Sequence, residues 1–155
     1  MKIEKYERIF MMISAFVMAL GIFAVVWSTG HGGAHLPKPA GRIKPELVKT
    51  TAPFDQPGLR QTGDNTYEAV IIASAWQYTP SEIKVPEGAE VTFIVTSIDV
   101  IHGMRIPTTN VNAMIIPGQI TKVTATMHEK GVHSMICHEY CGIGHQNMGG
   151  TVVVE

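Results

Sequence analysis

The spacing of apolar residues changes along the 155-residue chain, and its first feature is a long uncharged run. Ile9 to Thr29 contains 21 residues without a charge, which as a helix would be about 31 Å long, enough to cross a bilayer core. The run is longer than the apolar part of a usual signal peptide, and Glu4 and Glu7 dilute the positive charge before it. We therefore predict a retained transmembrane anchor over residues 1–29, with a signal peptide cleaved near Ser28-Thr29-Gly30 as the alternative.

The second feature is a segment with little apolar periodicity, residues 30–65. It is rich in Gly and Pro, a composition typical of an extended connector. His31 and His35 lie within it, and histidines in a Gly-rich linker are usually solvated, so we assign them no metal. The sequence predicts a connector without chemistry of its own.

From Thr66 onward the pattern changes to short β-type runs, which predict strands. In Glu90–Ser97, Val91, Phe93 and Val95 alternate with their neighbours, so that one row faces a core. Several short strands in about 90 residues predict a mainly β, Greek-key sandwich over residues 66–155. The predicted strands are Tyr67–Ala75, Glu82–Val85, Glu90–Ser97, Gln119–Met127, Val132–Cys137 and Thr151–Val154. Turns are predicted at Pro86-Glu87-Gly88 and, as type II, at Pro117-Gly118.

Charge is divided unevenly between the two parts of the chain. Residues 1–65 carry eight Lys/Arg against five Asp/Glu, and residues 66–155 carry four against eight. The acidic larger part argues against nucleic acid as a partner and suits a basic protein instead. Lys2, Lys5 and Arg8 lie close before the apolar run, which favours a cytoplasmic N-terminus and a domain on the outer face of the cell membrane.

Both cysteines lie in one segment that is dense in soft metal ligands. Cys137 to Met148 reads C-x-E-x-C-x-x-x-H-x-x-M. Outside the cytoplasm two nearby cysteines often form a disulfide, and zinc could be bound by the two cysteines, His145 and a distant histidine. Neither alternative uses Met148, whose thioether is a weak axial ligand typical of copper. The ligand types therefore favour copper.

The number of cysteines indicates two metal ions. A single blue copper site uses one Cys, two His and one weak ligand, so it would leave one thiolate over. Two coppers would need a second histidine from elsewhere, and His102 is the best candidate because it follows the strand that ends at Ser97. His128 and His133 flank a predicted turn at Lys130-Gly131, so we expect them to face solvent.

These residues together resemble a known family. Asp99-Val100-Ile101-His102, followed 35 residues after the histidine by C-x-E-x-C-G-x-G-H-x-x-M, is similar to the CuA motif of cytochrome c oxidase subunit II. The single predicted helix and the stretch Ile83 to Phe93 resemble the compact subunit II of the B-type haem-copper oxidases. The resemblance implies a cupredoxin fold in which two copper ions are bridged by both cysteines. It also implies one imidazole for each copper and two axial ligands, the ligand set being His102, Cys137, the carbonyl of Glu139, Cys141, His145 and Met148.

The resemblance further implies the function and the partners. The chain would accept electrons from cytochrome c and pass them to haem in oxidase subunit I, where oxygen is reduced and protons are pumped. Trp76 would be the residue through which electrons enter, with ordinary packing as the alternative. Glu7 resembles a glutamate at the cytoplasmic mouth of a proton path, with an interfacial charge beside Arg8 as the alternative. Magnesium at the Glu139 carboxylate, a feature of two-helix relatives, is not expected in a B-type chain.

Two other classes of protein share part of the pattern. A membrane-anchored copper chaperone or thiol redox protein of the thioredoxin-like type also has a CxxxC motif and a distant histidine. That fold needs helices between its strands, and no amphipathic helical run follows residue 66. Nitrous oxide reductase shares the CuA motif but requires a large propeller domain, for which this chain has no room. The oxidase subunit is therefore the preferred interpretation.

Overall fold

The computed structural model describes residues 4–32 and 39–155, which belong to two compact units that divide after Lys38. His35 lies outside the described residues, as does the side chain of His31. In the N-terminal unit, helix α1 spans Lys5–Trp27 and continues as a π-helical turn over Ser28–Gly32. No side chain of α1 is buried in the described structure. The helix is long and apolar enough to cross a membrane.

The start of α1 is stabilised by a reciprocal capping arrangement. The backbone amide of Glu4 donates to the Glu7 carboxylate over 3.1 Å, and the Glu4 side chain accepts from the amide of Glu7. Such an arrangement satisfies amides that have no partner inside the helix. Glu7 therefore has a structural contact where the sequence suggested a proton path.

The second unit is a sandwich of two sheets. The first sheet has the order β1-β9-β6-β3-β2, with β4 beside β3, and the second has the order β5-β11-β10-β7-β8. The strands are β1 Gly41–Arg42, β2 Gly58–Gly63, β3 Thr66–Ser74, β4 Gln77–Thr79, β5 Glu82–Val85, β6 Glu90–Ser97, β7 His102–Arg105, β8 Asn112–Ile115, β9 Gln119–Thr126, β10 Gly131–Ile136 and β11 Gly149–Val154. The mainly β sandwich, which follows one apolar helix along the chain, confirms the predicted fold class.

The core lies between the two sheets, and period-two alternation fills it. Val91, Phe93 and Val95 of β6 are buried there, as predicted from the sequence. Met104 of β7 and Met135 of β10 pack against them from the opposite sheet. Burial of a side chain of this size stabilises the fold by about 1.5–3 kcal/mol.

The turns also follow the sequence prediction. Gly88 has φ +75° and Gly118 has φ +82°, the left-handed region that glycine adopts without steric cost. The amide of Gln119 donates to the carbonyl of Ile116 over 3.0 Å, which closes the predicted turn at Pro117-Gly118. Pro and Gly at the two central positions are those that a type II turn requires.

The packed domain begins earlier than the boundary predicted at residue 66. Residues after Pro39 add β1, a 3-10 helix over Pro45–Thr50 and β2 to the domain. Val48 and Phe54 are fully buried in a second apolar cluster against the outer face of β3 and β6. The apolar residues of this stretch lie on turns and a short helix, so they show neither a strand period nor a helix period. The connector assigned to residues 30–65 is therefore largely part of the domain.

Phe54 provides a test of this boundary. Phe54→Ala removes a fully buried ring from the second cluster, so the free energy of unfolding should fall by about 3–5 kcal/mol. The matched control is Leu47→Ala, whose side chain is 49% exposed, and which should change it by no more than about 0.5 kcal/mol. Denaturant unfolding of the full chain measures both variants. Equal effects of the two substitutions would place residues 39–63 outside the folded core.

Candidate metal centre

The segment that carries the cysteines is the connection between β10 and β11. The two strands pair antiparallel up to Ile136 and Gly149, so the loop from Cys137 to Met148 is closed at its base. The amide of Cys137 donates to the carbonyl of Met148 over 3.4 Å, and a 3-10 turn over His145–Asn147 bends the chain back. The loop is therefore held in place by packed strands on both sides.

His102 reaches this loop because it is the first residue of β7. β7 lies beside β10, with Arg105 opposite Ile136 in antiparallel register. Continued by three residues, that register brings His102 level with residue 139 in the loop. Distant parts of the sequence therefore meet at one end of the sandwich.

Five donor groups of the loop lie close together. The two Sγ atoms of Cys137 and Cys141 are 3.8 Å apart, far beyond the ~2.05 Å of a disulfide bond, and both thiols are free. The Sγ of Cys141 lies 3.5 Å from Nδ1 of His145 and 3.6 Å from Sδ of Met148. The Sγ of Cys137 lies 3.3 Å from the backbone carbonyl oxygen of Glu139. The disulfide alternative is thus absent from this structure.

His102 completes the cluster and leaves one nitrogen available. Its side chain is fully buried, and its Nε2 lies 2.9 Å from Oδ1 of Asp99. Its Nδ1 is a buried atom that has no hydrogen-bond partner among the described residues. The ligand atoms of His102, Cys137 and Cys141 lie within 4.8 Å of one another. A buried acceptor without a partner is unfavourable, and a bound metal ion would satisfy it, so the residues fit a metal centre.

Burial also raises the pKa of one donor, Cys141, and of the neighbouring Tyr78. It raises the pKa of Cys141 to about 11, and the neighbouring Cys137 adds to the effect. Burial, reinforced by Cys137, also raises the pKa of Tyr78 far above its ordinary value. Since the thiolate is the metal-binding form, a metal ion must displace protons as it binds.

Asp99 remains ionised despite its partial burial. Burial acts to raise its pKa, but hydrogen bonds from His102 and from the amides of Ala75 and Val100 outweigh it and lower the pKa below its ordinary value. The contact with His102 makes Asp99 a residue of the site that the sequence did not assign. It was visible in the sequence only as the first letter of Asp99-Val100-Ile101-His102.

Trp76 lies on the turn between β3 and β4 and touches the loop. Its indole Nε1–H donates to the carbonyl oxygen of Cys141 over 3.1 Å. Its ring lies directly against Gly144, where a Cβ atom would come within 2.4 Å of the ring. The side chain is nevertheless 42% exposed. Trp76 therefore packs on the candidate site and also faces solvent.

Three further histidines of the described residues, His128, His133 and His138, are not members of the donor cluster. His128 is exposed, as predicted. The prediction for His133 is wrong, because its ring is buried, with Nδ1 2.8 Å from the Thr108 hydroxyl and Nε2 2.6 Å from the carbonyl of Glu129. His138 is exposed, and its ring covers the backbone of Gly103. Glu7 belongs to the N-terminal unit.

The fold and the donor set define a class of protein. A two-sheet sandwich with Cys, His and Met donors in the loop before its last strand is a cupredoxin-like domain with a group that could bind metal. Residues 74–155 match the protein-family model described as cytochrome c oxidase subunit II, periplasmic domain. Cytochrome c oxidase subunit 2 of Thermus thermophilus is 43% identical over 122 residues, covering 76% of this chain and 90% of that protein.

Solved structures agree with these sequence matches. A chain in a cryo-EM structure of a heme-copper terminal oxidase dimer is similar with a TM-score of 0.65 and 30% identity, covering 97% of this chain and 100% of that chain. The periplasmic domain of subunit II (CoxB) of Bradyrhizobium japonicum shares the fold, with a TM-score of 0.53 and 21% identity over 61% of this chain and 86% of that one. The chain belongs to the cytochrome c oxidase subunit II family, whose members are subunits of an oxidoreductase, the haem-copper oxidase.

Family and fold together decide between the alternatives. Between residues 39 and 155 the structure contains strands and 3-10 turns but no α-helix, so it lacks the helices that a thioredoxin-like chaperone requires. The family and the His/Cys group both favour copper. One apolar helix before a domain of a periplasmic family is the arrangement of a single-pass membrane protein with an extracytoplasmic domain.

Gly144 provides a test of the Trp76 contact. Gly144→Ala places a methyl group into the indole ring, so the ring must move and its hydrogen bond to Cys141 must weaken. We expect a changed fluorescence emission and a loss of about 1–3 kcal/mol in unfolding free energy. Gly149→Ala is the control, because its Cβ would find only an ordinary contact at 3.5 Å. An unchanged emission spectrum in Gly144→Ala would contradict the described packing.

Proposed function

We propose that this chain is the electron-accepting subunit of a terminal respiratory oxidase, with a binuclear CuA centre in its β-domain. The observation that carries the proposal is the pair of unbonded thiols 3.8 Å apart with imidazole nitrogens from two different parts of the chain beside them. One thiolate would suffice for a single blue copper ion. Two thiolates at this distance suit two ions bound side by side.

The ligand assignment follows from the donors beside each sulfur. Cys137 and Cys141 would hold both ions, while Nδ1 of His102 and Nδ1 of His145 would hold one ion each. Sδ of Met148 and the backbone carbonyl of Glu139 would be the weaker ligands. We leave the Glu139 carboxylate out of the set and assign it no magnesium ion.

The copper pair, when bound, supplies a one-electron redox centre whose charge is shared over two ions and two sulfurs. The contribution of the chain is to hold the ligands still and to keep water away. His102, Cys137, Cys141 and Met148 are all buried, and their loops are anchored on paired strands. Ligands fixed on packed elements keep their positions in both oxidation states.

Trp76 is the proposed point at which electrons from cytochrome c enter. Its ring is partly exposed, and its N–H is bonded to the backbone of Cys141, so it connects the protein surface to the cluster in one step. The larger part of the chain has an excess of acidic residues, which would attract a basic cytochrome.

The onward steps rest on the family. In the proposed complex the electron passes to haem in oxidase subunit I, where oxygen is reduced to water and protons are pumped. The helix α1 would lie in membrane lipid with a cytoplasmic N-terminus, which agrees with Lys2, Lys5 and Arg8 before the apolar run. Glu7 would then lie at the cytoplasmic side, where a role in proton uptake would add to its helix-capping contact.

Copper loading of the full chain in detergent tests the two-copper centre. The wild-type chain should bind two copper ions and turn purple, with a paramagnetic signal from one electron shared by both ions. Cys141→Ser removes one bridging sulfur and should reduce the content to one ion or none. His102→Ala should also lose the shared signal, whereas the control His128→Ala, which alters an exposed histidine, should keep it. A blue one-copper species in the wild-type chain would refute the proposal.

Reduction of the assembled oxidase by cytochrome c tests Trp76. Loss of an aromatic anchor at a protein contact costs on the order of 2 kcal/mol, so Trp76→Ala should slow reduction by about 30-fold. Both coppers should remain, since Trp76 supplies no ligand. Trp76→Phe keeps an aromatic ring but removes the N–H donor, so it distinguishes the contribution of the ring from that of the hydrogen bond. Val132→Ala is the control for loss of an exposed apolar side chain. An unchanged rate in Trp76→Ala with both coppers bound would exclude this route.

A further inference from the structure

We propose that Asp99 is a positioning residue for the metal centre, which selects the tautomer of His102 and ties the Trp76 turn to that histidine. Asp99 lies in the connection between β6 and β7. Its Oδ1 accepts from the Val100 amide over 2.7 Å and lies 2.9 Å from Nε2 of His102. Its Oδ2 accepts from the Ala75 amide over 2.7 Å. This proposal rests on the proposed copper centre.

The first step concerns the proton on His102. Both oxygens of the Asp99 side chain accept hydrogen bonds from backbone amides, so the group acts as an acceptor and the imidazole nitrogen that faces it carries the proton. The other nitrogen, Nδ1, then carries a lone pair, and it is this buried atom that has no partner among the described residues. Asp99 therefore holds the imidazole in the tautomer that can bind a metal ion beside Cys137 and Cys141.

The second step concerns the turn that carries Trp76. The parallel strands β3 and β6 pair up to Ala73 and Ser97. Beyond this point each segment enters its own connection, one to β4 and the other to β7. The bond from the Ala75 amide to Asp99 holds the turns together just after the ladder ends. Trp76 follows directly and donates to the carbonyl of Cys141. One carboxylate thus connects the two sides of the centre through His102 and Trp76.

The arrangement needs both carboxylate oxygens. An Asn at this position has one acceptor oxygen and one NH₂ group. If the oxygen faces His102 and the Val100 amide, the NH₂ opposes the Ala75 amide. If it faces Ala75, the NH₂ meets Nε2 of His102 and favours the wrong tautomer. Either orientation of the side chain breaks one side of the connection.

A redox consequence follows from the same bond. A carboxylate that accepts the Nε2 proton makes the imidazole a stronger donor at Nδ1, and a stronger donor favours oxidised copper over reduced copper. Loss of the carboxylate should therefore raise the reduction potential of the centre. A surface acid that served only to attract a partner would leave this potential unchanged.

The test compares Asp99→Asn with Asp64→Asn in the full chain in detergent. Both substitutions remove one negative charge, but Asp64 lies in an exposed turn. Asp99→Asn should weaken copper binding by about 10- to 100-fold and raise the reduction potential, and ¹⁵N NMR of the metal-free chain should show His102 shifted toward the Nδ1–H tautomer. Asp99→Glu, which keeps two acceptor oxygens, should restore part of the affinity. Thermal unfolding measures whether each variant is folded.

The outcomes separate this proposal from the one on which it rests. A wild-type chain that fails to bind two coppers would overturn the copper centre itself. A wild-type chain with two coppers, but with affinity, potential and tautomer alike in Asp99→Asn and Asp64→Asn, would overturn only the role of Asp99. If Asp99→Asn is unfolded, Asp99→Ser decides, since it also removes the carboxylate: a folded Asp99→Ser with weakened copper binding and a raised reduction potential supports the role, and a folded one with the affinity and potential of Asp64→Asn overturns it.

Discussion

The parallel pairing of β3 with β6 is the constraint on which the rest of the site depends. The ladder runs from Thr66 and Glu90 to Ala73 and Ser97, and parallel strands end at the same edge of a sheet. The Trp76 turn and the Asp99–His102 connection therefore leave the sheet side by side. In the opposite sheet, β10 lies beside β7. The β10–β11 loop therefore lies at the same end of the sandwich as His102, the first residue of β7. Residues that are 65 positions apart, Trp76 and Cys141, meet as a result. Weak pairing at the end of this ladder would loosen both the Trp76 turn and the connection that carries His102.

The donor cluster contains buried polar groups that are unfavourable without a binding partner, and this favours the binding of a metal ion. It combines a buried nitrogen without a partner among the described residues on His102 with two buried thiols, and burial raises the pKa of the Cys141 thiol. A metal ion that prefers sulfur and imidazole would compensate both, because it would bind the nitrogen and stabilise the thiolates. The rest of the sandwich contributes the free energy that holds these groups together before the ion binds. Since only the folded chain presents all the donors, metal binding should also stabilise the fold by mass action.

Local patterns were visible in the sequence, and contacts between distant segments were not. Strands β5 and β6 have the predicted bounds, because period-two alternation and flanking turns mark them in the sequence. The cysteine loop was predicted because its donors are close in sequence. Val48 and Phe54 were assigned to a connector, because buried residues on turns follow no period. His133 was placed in solvent, although Thr108 and the carbonyl of Glu129 satisfy both of its nitrogens inside the domain. The same limit hid Asp99, whose partner Ala75 lies on another turn.

The loop places its donors and its apolar side chains on opposite sides. Cys137 and Cys141 are buried, whereas Tyr140 is 73% exposed and Ile143 is 85% exposed. The loop therefore combines buried sulfur donors with two exposed apolar side chains. A centre that exchanges single electrons with another protein must be close to that protein and yet shielded from water. In the proposed function, the exposed Tyr140 and Ile143 would meet the first requirement, because exposed apolar residues can form a small contact that separates again. Burial of the sulfurs meets the second, and a loop of this length achieves both only because the paired strands at its base prevent it from opening.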